Sequence, residues 1–123
     1  MNAMTQAQRA YSAVSAPTRT PRRAEFEAVA QITQKLRFAA SKGIEGFPAL
    51  AEALNDNRKL WNIFLIDVSD PKNPLPDDLR ARIFYLAEFT RAHTVKVLAR
   101  KADVEPLIEV NTAILRGLRG GAD

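Results

Sequence analysis

Residues 57–64, Asn-Arg-Lys-Leu-Trp-Asn-Ile-Phe, lie within a long run from Pro48 to Val68 that decides the fold. After Pro48 the run contains neither proline nor glycine. Its apolar residues recur at spacings of three and four, which is the period of one face of an α-helix. The predicted core face comprises Leu50, Ala53, Leu54, Trp61, Phe64, Leu65 and Val68. The stretch therefore predicts a long amphipathic helix that packs against other helices.

The sequence on either side of this helix has the same period and is divided by proline and glycine. Thr20-Pro21 predicts a helix start, because a hydroxyl cap precedes a proline whose missing N–H has no partner in the first turn. Gly43 predicts the end of that helix. Asp103 is predicted to cap the last helix. We predict helices over residues 4–14, 21–41, 48–68, 76–101 and 103–116.

The other predicted core faces also follow the helical period, and no stretch alternates with the period of a strand. They comprise Phe26, Val29, Ile32, Leu36 and Ala40; Leu79, Ile83, Leu86, Thr90, Thr94 and Val97; and Val104, Leu107, Asn111, Ile114, Leu115 and Leu118. The chain of 123 residues suits one domain with its own core. We predict an all-α, single-domain bundle of four main helices plus a short N-terminal helix. Its parts are a basic arm over 1–20, the bundle over 21–118 and a flexible tail over 119–123.

The composition argues against catalysis. The chain has no cysteine and one histidine, so thiolate metal sites, cysteine nucleophiles and His-rich centres are not expected. His93 lies at the edge of an apolar stripe, which is typical of a structural residue. The adjacent acids Asp77 and Asp78 are explained by the positive end of a helix dipole. We therefore predict a protein that is not an enzyme, with no cofactor, metal or catalytic residues.

No apolar run approaches the roughly 20 residues that a membrane-spanning helix needs. The N-terminus also lacks the charged and then apolar pattern of a secretory signal. We expect a cytoplasmic protein without membrane insertion.

The net charge of +4 belongs to the first 24 residues, which carry four arginines and no acid. The remaining residues carry 14 basic and 14 acidic side chains. Such an arm is either a solvated segment or a contact for phosphates or an acidic partner. Tyr11 is its one aromatic residue, so it lacks a platform for stacking single-stranded bases. The four arginines are Arg9, Arg19, Arg22 and Arg23.

Asn57 and Asn111 occupy positions on apolar stripes where an aliphatic side chain would pack. A buried amide costs about 1–3 kcal/mol unless it is hydrogen-bonded. Either each amide bonds a neighbouring loop carbonyl or fixes helix register, or the amides line a groove that accepts another chain's backbone.

The fourth predicted helix carries more apolar surface than its core face requires. Phe84, Tyr85 and Phe89 lie off its stripe, and Ile63 and Phe64 widen the stripe of the preceding helix. Such a surface is either covered by residues of the same chain, such as 4–14, or presented to a partner helix. Self-association through this face is a third possibility.

Residues 57–64 resemble the Asn-Arg-x-Leu-Trp-x-x-Phe signature of the FlaF family, flagellar regulators of alphaproteobacteria. Other stretches agree with family motifs in order and spacing. They are Ala10-Tyr11, Thr20-Pro21-Arg22, Leu75-Pro76 through Phe89, and Leu107-Ile108-Glu109-Val110-Asn111 continuing to Gly117-Leu118. The resemblance implies a non-enzymatic protein that binds flagellin in the cytoplasm and promotes its synthesis or secretion. It also implies a role opposite a second regulator, FlbT, which is a candidate partner.

The family resemblance and the extra apolar surface of the third and fourth predicted helices together predict a flagellin-binding chaperone. Large aromatic side chains would anchor a flagellin segment, because they bury much area at low rotamer cost, and basic residues would form the polar rim. The candidates are Trp61, Phe64, Phe84 and Phe89 as anchors and Arg58 and Lys59 at the rim. The alternative for Trp61 is a core position, since a lone tryptophan in a helical stripe is usually a core residue. The alternative function is binding of flagellin mRNA through the arginines of the arm.

Overall fold

The computed structural model describes residues 21–120, and it describes side chains from Arg23 to Gly117. Every regular element in this range is a helix, which confirms the all-α prediction. The helices are α1, Pro21–Ser41; α2, Phe47–Ser69; α3, Asp77–Leu98; and α4, Glu105–Gly120. A 3-10 turn, Gly43–Gly46, joins α1 to α2. The predicted helix over 4–14, the whole basic arm over 1–20 and residues 121–123 lie outside the described residues.

Two helix bounds differ from the sequence prediction at the α3–α4 connection. Helix α3 ends at Leu98 instead of Lys101, because Ala99 has ψ 0° and Arg100 has φ +60°. The Arg100 guanidinium lies 4.3 Å from the ring centroid of Phe47, a cation–π contact that accompanies this conformation. Helix α4 begins at Glu105, and the backbone N–H groups of Leu107 and Ile108 both donate to the carbonyl of Val104. It continues four residues beyond the predicted end at Arg116.

The helices pack in an open arrangement. Helix α1 lies between α2 and α4, α3 packs along α2, and α3 meets α4 over a much smaller surface. Near the connection between α3 and α4, His93 Nε2 lies 2.7 Å from the carbonyl oxygen of Asp103. Arg37 donates to Thr112 Oγ1 at 3.0 Å and so links α1 to α4. Helix α3 is therefore held mainly by α2.

The turn between α1 and α2 depends on its two glycines. Gly43 has φ +64°, which favours a residue without a Cβ. A Cβ on Gly46 would lie 2.3 Å from the carbonyl oxygen of Ala39, so the close approach of the two helices requires glycine there.

The α2–α3 connection is closed by side chains that bond backbone carbonyls. Arg80 donates from Nε and Nη2 to the carbonyl of Val68 and from Nη2 to that of Asp70, at 3.0–3.2 Å. The guanidinium thus satisfies carbonyls that the end of α2 leaves without helical partners. Asn73 Nδ2 donates to the carbonyl of Asp67, which holds the loop against α2.

The core consists of two apolar clusters separated by a buried polar layer. One cluster comprises Ala28, Val29, Leu60, Trp61, Phe64 and Ala87. The other comprises Leu36, Ala53, Leu54, Val97, Val104, Leu107 and Ile108. The polar layer comprises Thr33, Asn57, Thr90, Thr94 and Asn111. Along each of α1, α2 and α3, the residues of the polar layer lie between residues of the first cluster and residues of the second. In α4, Asn111 follows Leu107 and Ile108 of the second cluster and lies between Val110 and Ile114, which pack against the first.

Candidate partner-binding site

Asn57 and Trp61 of the predicted signature meet Asn111 of α4 in a buried hydrogen-bond chain. Trp61 Nε1 donates to Asn111 Oδ1 at 2.8 Å, and Asn111 Nδ2 donates to Asn57 Oδ1 at 2.8 Å. Both amides are fully buried. The partners of these bonds are therefore side chains and not loop carbonyls, and neither amide lines a groove. Asn57 Nδ2 has no partner among the described residues. Because the chain joins α2 to α4, it fixes the register of two helices whose backbones do not lie close together.

Two of the predicted aromatic anchors lie inside the bundle. Trp61 is 2% exposed and Phe64 is 8% exposed. Their rings pack edge to face, with centroids 5.3 Å apart. A partner therefore has almost no access to either side chain while α2, α3 and α4 stay packed.

A pocket of about 370 Å³ opens on the outer side of the seam between α2 and α3. It brings together three of the six predicted partner-binding residues, Arg58, Lys59 and Trp61. Sequence reasoning missed the α3 residues of the pocket, because they become neighbours of Arg58 only through the packing register of the two helices. The walls include Arg58, Lys59, Trp61, Leu65, Thr90 and Arg91.

The pocket carries positive charge that the described residues only partly neutralise. Arg58 and Lys59 are exposed, and neither has a hydrogen bond or ion pair with another side chain in the part of the chain that the structure describes. Arg91 is paired, since its Nη2 lies 2.6 Å from Glu88 Oε2. The seam thus presents two unpaired cations and one paired cation to solvent.

The remaining predicted anchors lie on different sides of α3. Phe84 is 47% exposed and precedes Arg91 by seven residues, so it lies on the side of α3 that borders the pocket. Phe89 is half-buried and stacks on His93 with ring centroids 5.3 Å apart, on the side that faces the start of α4. One bound helix along the α2–α3 seam would therefore contact Phe84 but not Phe89.

The structure describes little of the arginine arm. Arg9 and Arg19 lie outside the described residues, and of Arg22 only the backbone is described. Arg23 is exposed, and its Nε lies 3.6 Å from Glu27 Oε1. RNA binding by these arginines stays a prediction.

Residues 21–120 contain no group of three or more His, Cys, Asp or Glu side chains arranged to hold a metal ion. None of the helices described is both long enough and apolar enough to cross a bilayer.

Comparison with known protein families matches residues 7–118 to the family described as flagellar protein FlaF. The chain belongs to the FlaF family. This match covers nearly the whole sequence and includes the buried chain Asn57–Asn111–Trp61 and the cations of the α2–α3 pocket. It confirms the resemblance seen in residues 57–64 and assigns the chain to a family of flagellar proteins. Neither the curated proteins nor the solved structures include a significant match.

Proposed function

We propose that this FlaF protein is a non-enzymatic, cytoplasmic flagellin-binding protein that promotes flagellin synthesis or secretion. The observation that carries the proposal is the exposed apolar side of α3 beside the unpaired cations of α2. Phe84, Val95 and Leu98 are 47%, 60% and 36% exposed and lie on the same side of α3. Family membership supports a flagellar role, and the surface supports binding of an amphipathic partner.

An amphipathic helix of flagellin would lie along the α2–α3 seam. Its apolar stripe would cover Phe84 and the exposed aliphatic residues of α3, and Arg58 and Lys59 would bound the contact on the α2 side. Regulation of translation would then follow from holding flagellin, with FlbT as a second candidate partner. The protein itself would need no catalytic group.

The proposal is tested by titrating purified protein with soluble flagellin monomer. Phe84→Asp is expected to weaken binding about tenfold or more, because a charge replaces an apolar anchor at the centre of the contact. The melting temperature should change little, since Phe84 is half-exposed. Ile44→Asp is the matched control, because Ile44 is 87% exposed on the 3-10 turn, away from the seam. Equal affinities of both variants and the unmodified protein would remove this surface from the proposal.

A flagellin transcript leader titrated in parallel tests the alternative function. Binding of single-stranded RNA through the four arginines Arg9, Arg19, Arg22 and Arg23 would weaken steeply with salt, with a slope of about −0.7 per phosphate contact in a plot of log affinity against log salt. RNA binding without flagellin binding would assign the function to the arm.

A further inference from the structure

We infer that the α2–α3 pocket receives a carboxylate side chain of the bound partner, so that the partner helix carries an acidic residue beside its apolar stripe. This inference rests on the proposed flagellin binding and specifies its chemistry. Three observations carry it: the unpaired cations, an unsatisfied buried hydroxyl and the charge of the first 24 residues.

The first observation is the geometry of the cations. Arg58 and Lys59 stand on adjacent positions of α2, and Arg91 borders the same pocket from α3. A guanidinium binds a carboxylate through two parallel N–H donors, which makes Arg58 a suitable partner for Asp or Glu. The volume of about 370 Å³ lies at the small end of the range for ligand sites, roughly 300–1,000 Å³, and can hold a side chain.

The second observation is independent of charge. Thr90 lines the pocket and is 1% exposed, yet its Oγ1 has no hydrogen-bond partner. A buried hydroxyl without a partner is destabilising, and such groups in folded proteins usually have a partner. Less than 1 Å² of this hydroxyl is exposed, so a carboxylate oxygen would supply an acceptor only after the side chains that line the pocket move apart. Thr94, one turn later on α3, already donates to the carbonyl of Thr90, so it does not compete.

The third observation concerns the occupant. The first 24 residues carry four arginines and no acid, so this arm would be repelled by the cations of the pocket. An acidic partner segment is attracted by the same cations. The charges therefore favour occupation of the pocket by a partner protein over occupation by this protein's own N-terminal segment.

The experiment uses the indole N–H of Trp61 as a reporter. Trp61 is the one tryptophan of the chain and borders the pocket, so ¹⁵N-labelled protein gives a single indole signal. Unlabelled flagellin monomer is added at several salt concentrations to the unmodified protein and to Arg58→Gln. The matched control is Arg82→Gln, an exposed arginine of α3 outside the pocket. Arg58→Gln is expected to weaken binding about tenfold and to flatten the salt dependence, whereas Arg82→Gln should change neither.

Thr90→Val is a second variant, in which valine keeps nearly the shape of threonine but lacks the hydroxyl. If the hydroxyl bonds the partner, this change weakens flagellin binding about fivefold. A hydroxyl without a ligand would instead give unchanged affinity and a raised melting temperature, because removing an unsatisfied buried donor stabilises the fold.

Unchanged flagellin affinity in both Arg58→Gln and Thr90→Val would overturn the carboxylate pocket and leave flagellin binding standing. Absence of flagellin binding by the unmodified protein, with no shift of the Trp61 signal, would overturn the proposed function and this inference with it.

Discussion

The inner and outer faces of residues 57–64 differ in what they contribute to the molecule. Asn57, Trp61 and Phe64 are buried, and the first two belong to the hydrogen-bond chain that reaches α4. Arg58 and Lys59, on the same two turns of α2, are exposed and unpaired among the described residues. One short signature thus combines residues that specify the bundle with residues available to a partner. Loss of binding in a variant of this segment is therefore informative only when stability is measured beside it.

The largest effect is expected at Trp61. Trp61→Ala should lower the free energy of unfolding by about 3–5 kcal/mol, because it opens a cavity in the first cluster and removes the donor to Asn111. Chemical denaturation followed by circular dichroism measures the change. Trp61→Phe keeps most of the packing and loses the hydrogen bond, so it should cost clearly less. A cost below about 1 kcal/mol for Trp61→Ala would contradict the assignment of Trp61 to the inner face.

The buried amides should give the next largest effect. Asn111→Ala leaves both Trp61 Nε1 and Asn57 Oδ1 buried without a hydrogen-bond partner, and we expect the free energy of unfolding to fall by about 1–3 kcal/mol. The double variant Trp61→Phe with Asn111→Ala should cost less than the sum of the two single changes, because one hydrogen bond is counted in both. Additive costs would mean that the two residues stabilise the fold independently.

Sequence reasoning predicted the helices well because their apolar residues repeat with a strong period and because proline and glycine mark their ends. The predicted end of α3 was wrong. The positive φ of Arg100 ends the helix at Leu98, and no glycine in the sequence marks this position. Local pattern alone could not show that Asn57 and Asn111, 54 residues apart, bond each other, since that contact depends on how the helices pack.

The candidate site was predicted less completely than the fold. Arg58 and Lys59 were selected from the signature and Phe84 from its position off the apolar stripe of α3. In the structure all three lie along the α2–α3 seam. Thr90 was assigned only to the core face, because a sequence pattern cannot show that a buried hydroxyl lacks a partner. The sequence prediction places Phe89 beside Phe84 as an anchor, but five residues on a helix separate side chains by about 140°.

The smallest effect, and the most selective test of the outer face, is expected at Glu88. Its carboxylate neutralises Arg91 at the edge of the pocket, so it competes with an acidic residue of the partner. Glu88→Gln should tighten flagellin binding about twofold at low salt, and the gain should fade as salt screens the freed guanidinium. Because Arg91 is 67% exposed, the lost ion pair should change the free energy of unfolding by no more than about 0.5 kcal/mol. Glu109→Gln on α4 is the control. It changes the net charge by the same amount at a position away from the seam, so it separates a local effect from an effect of net charge. Weaker binding in Glu88→Gln alone would indicate that the seam meets a basic segment, which would reverse the charge assigned to the partner.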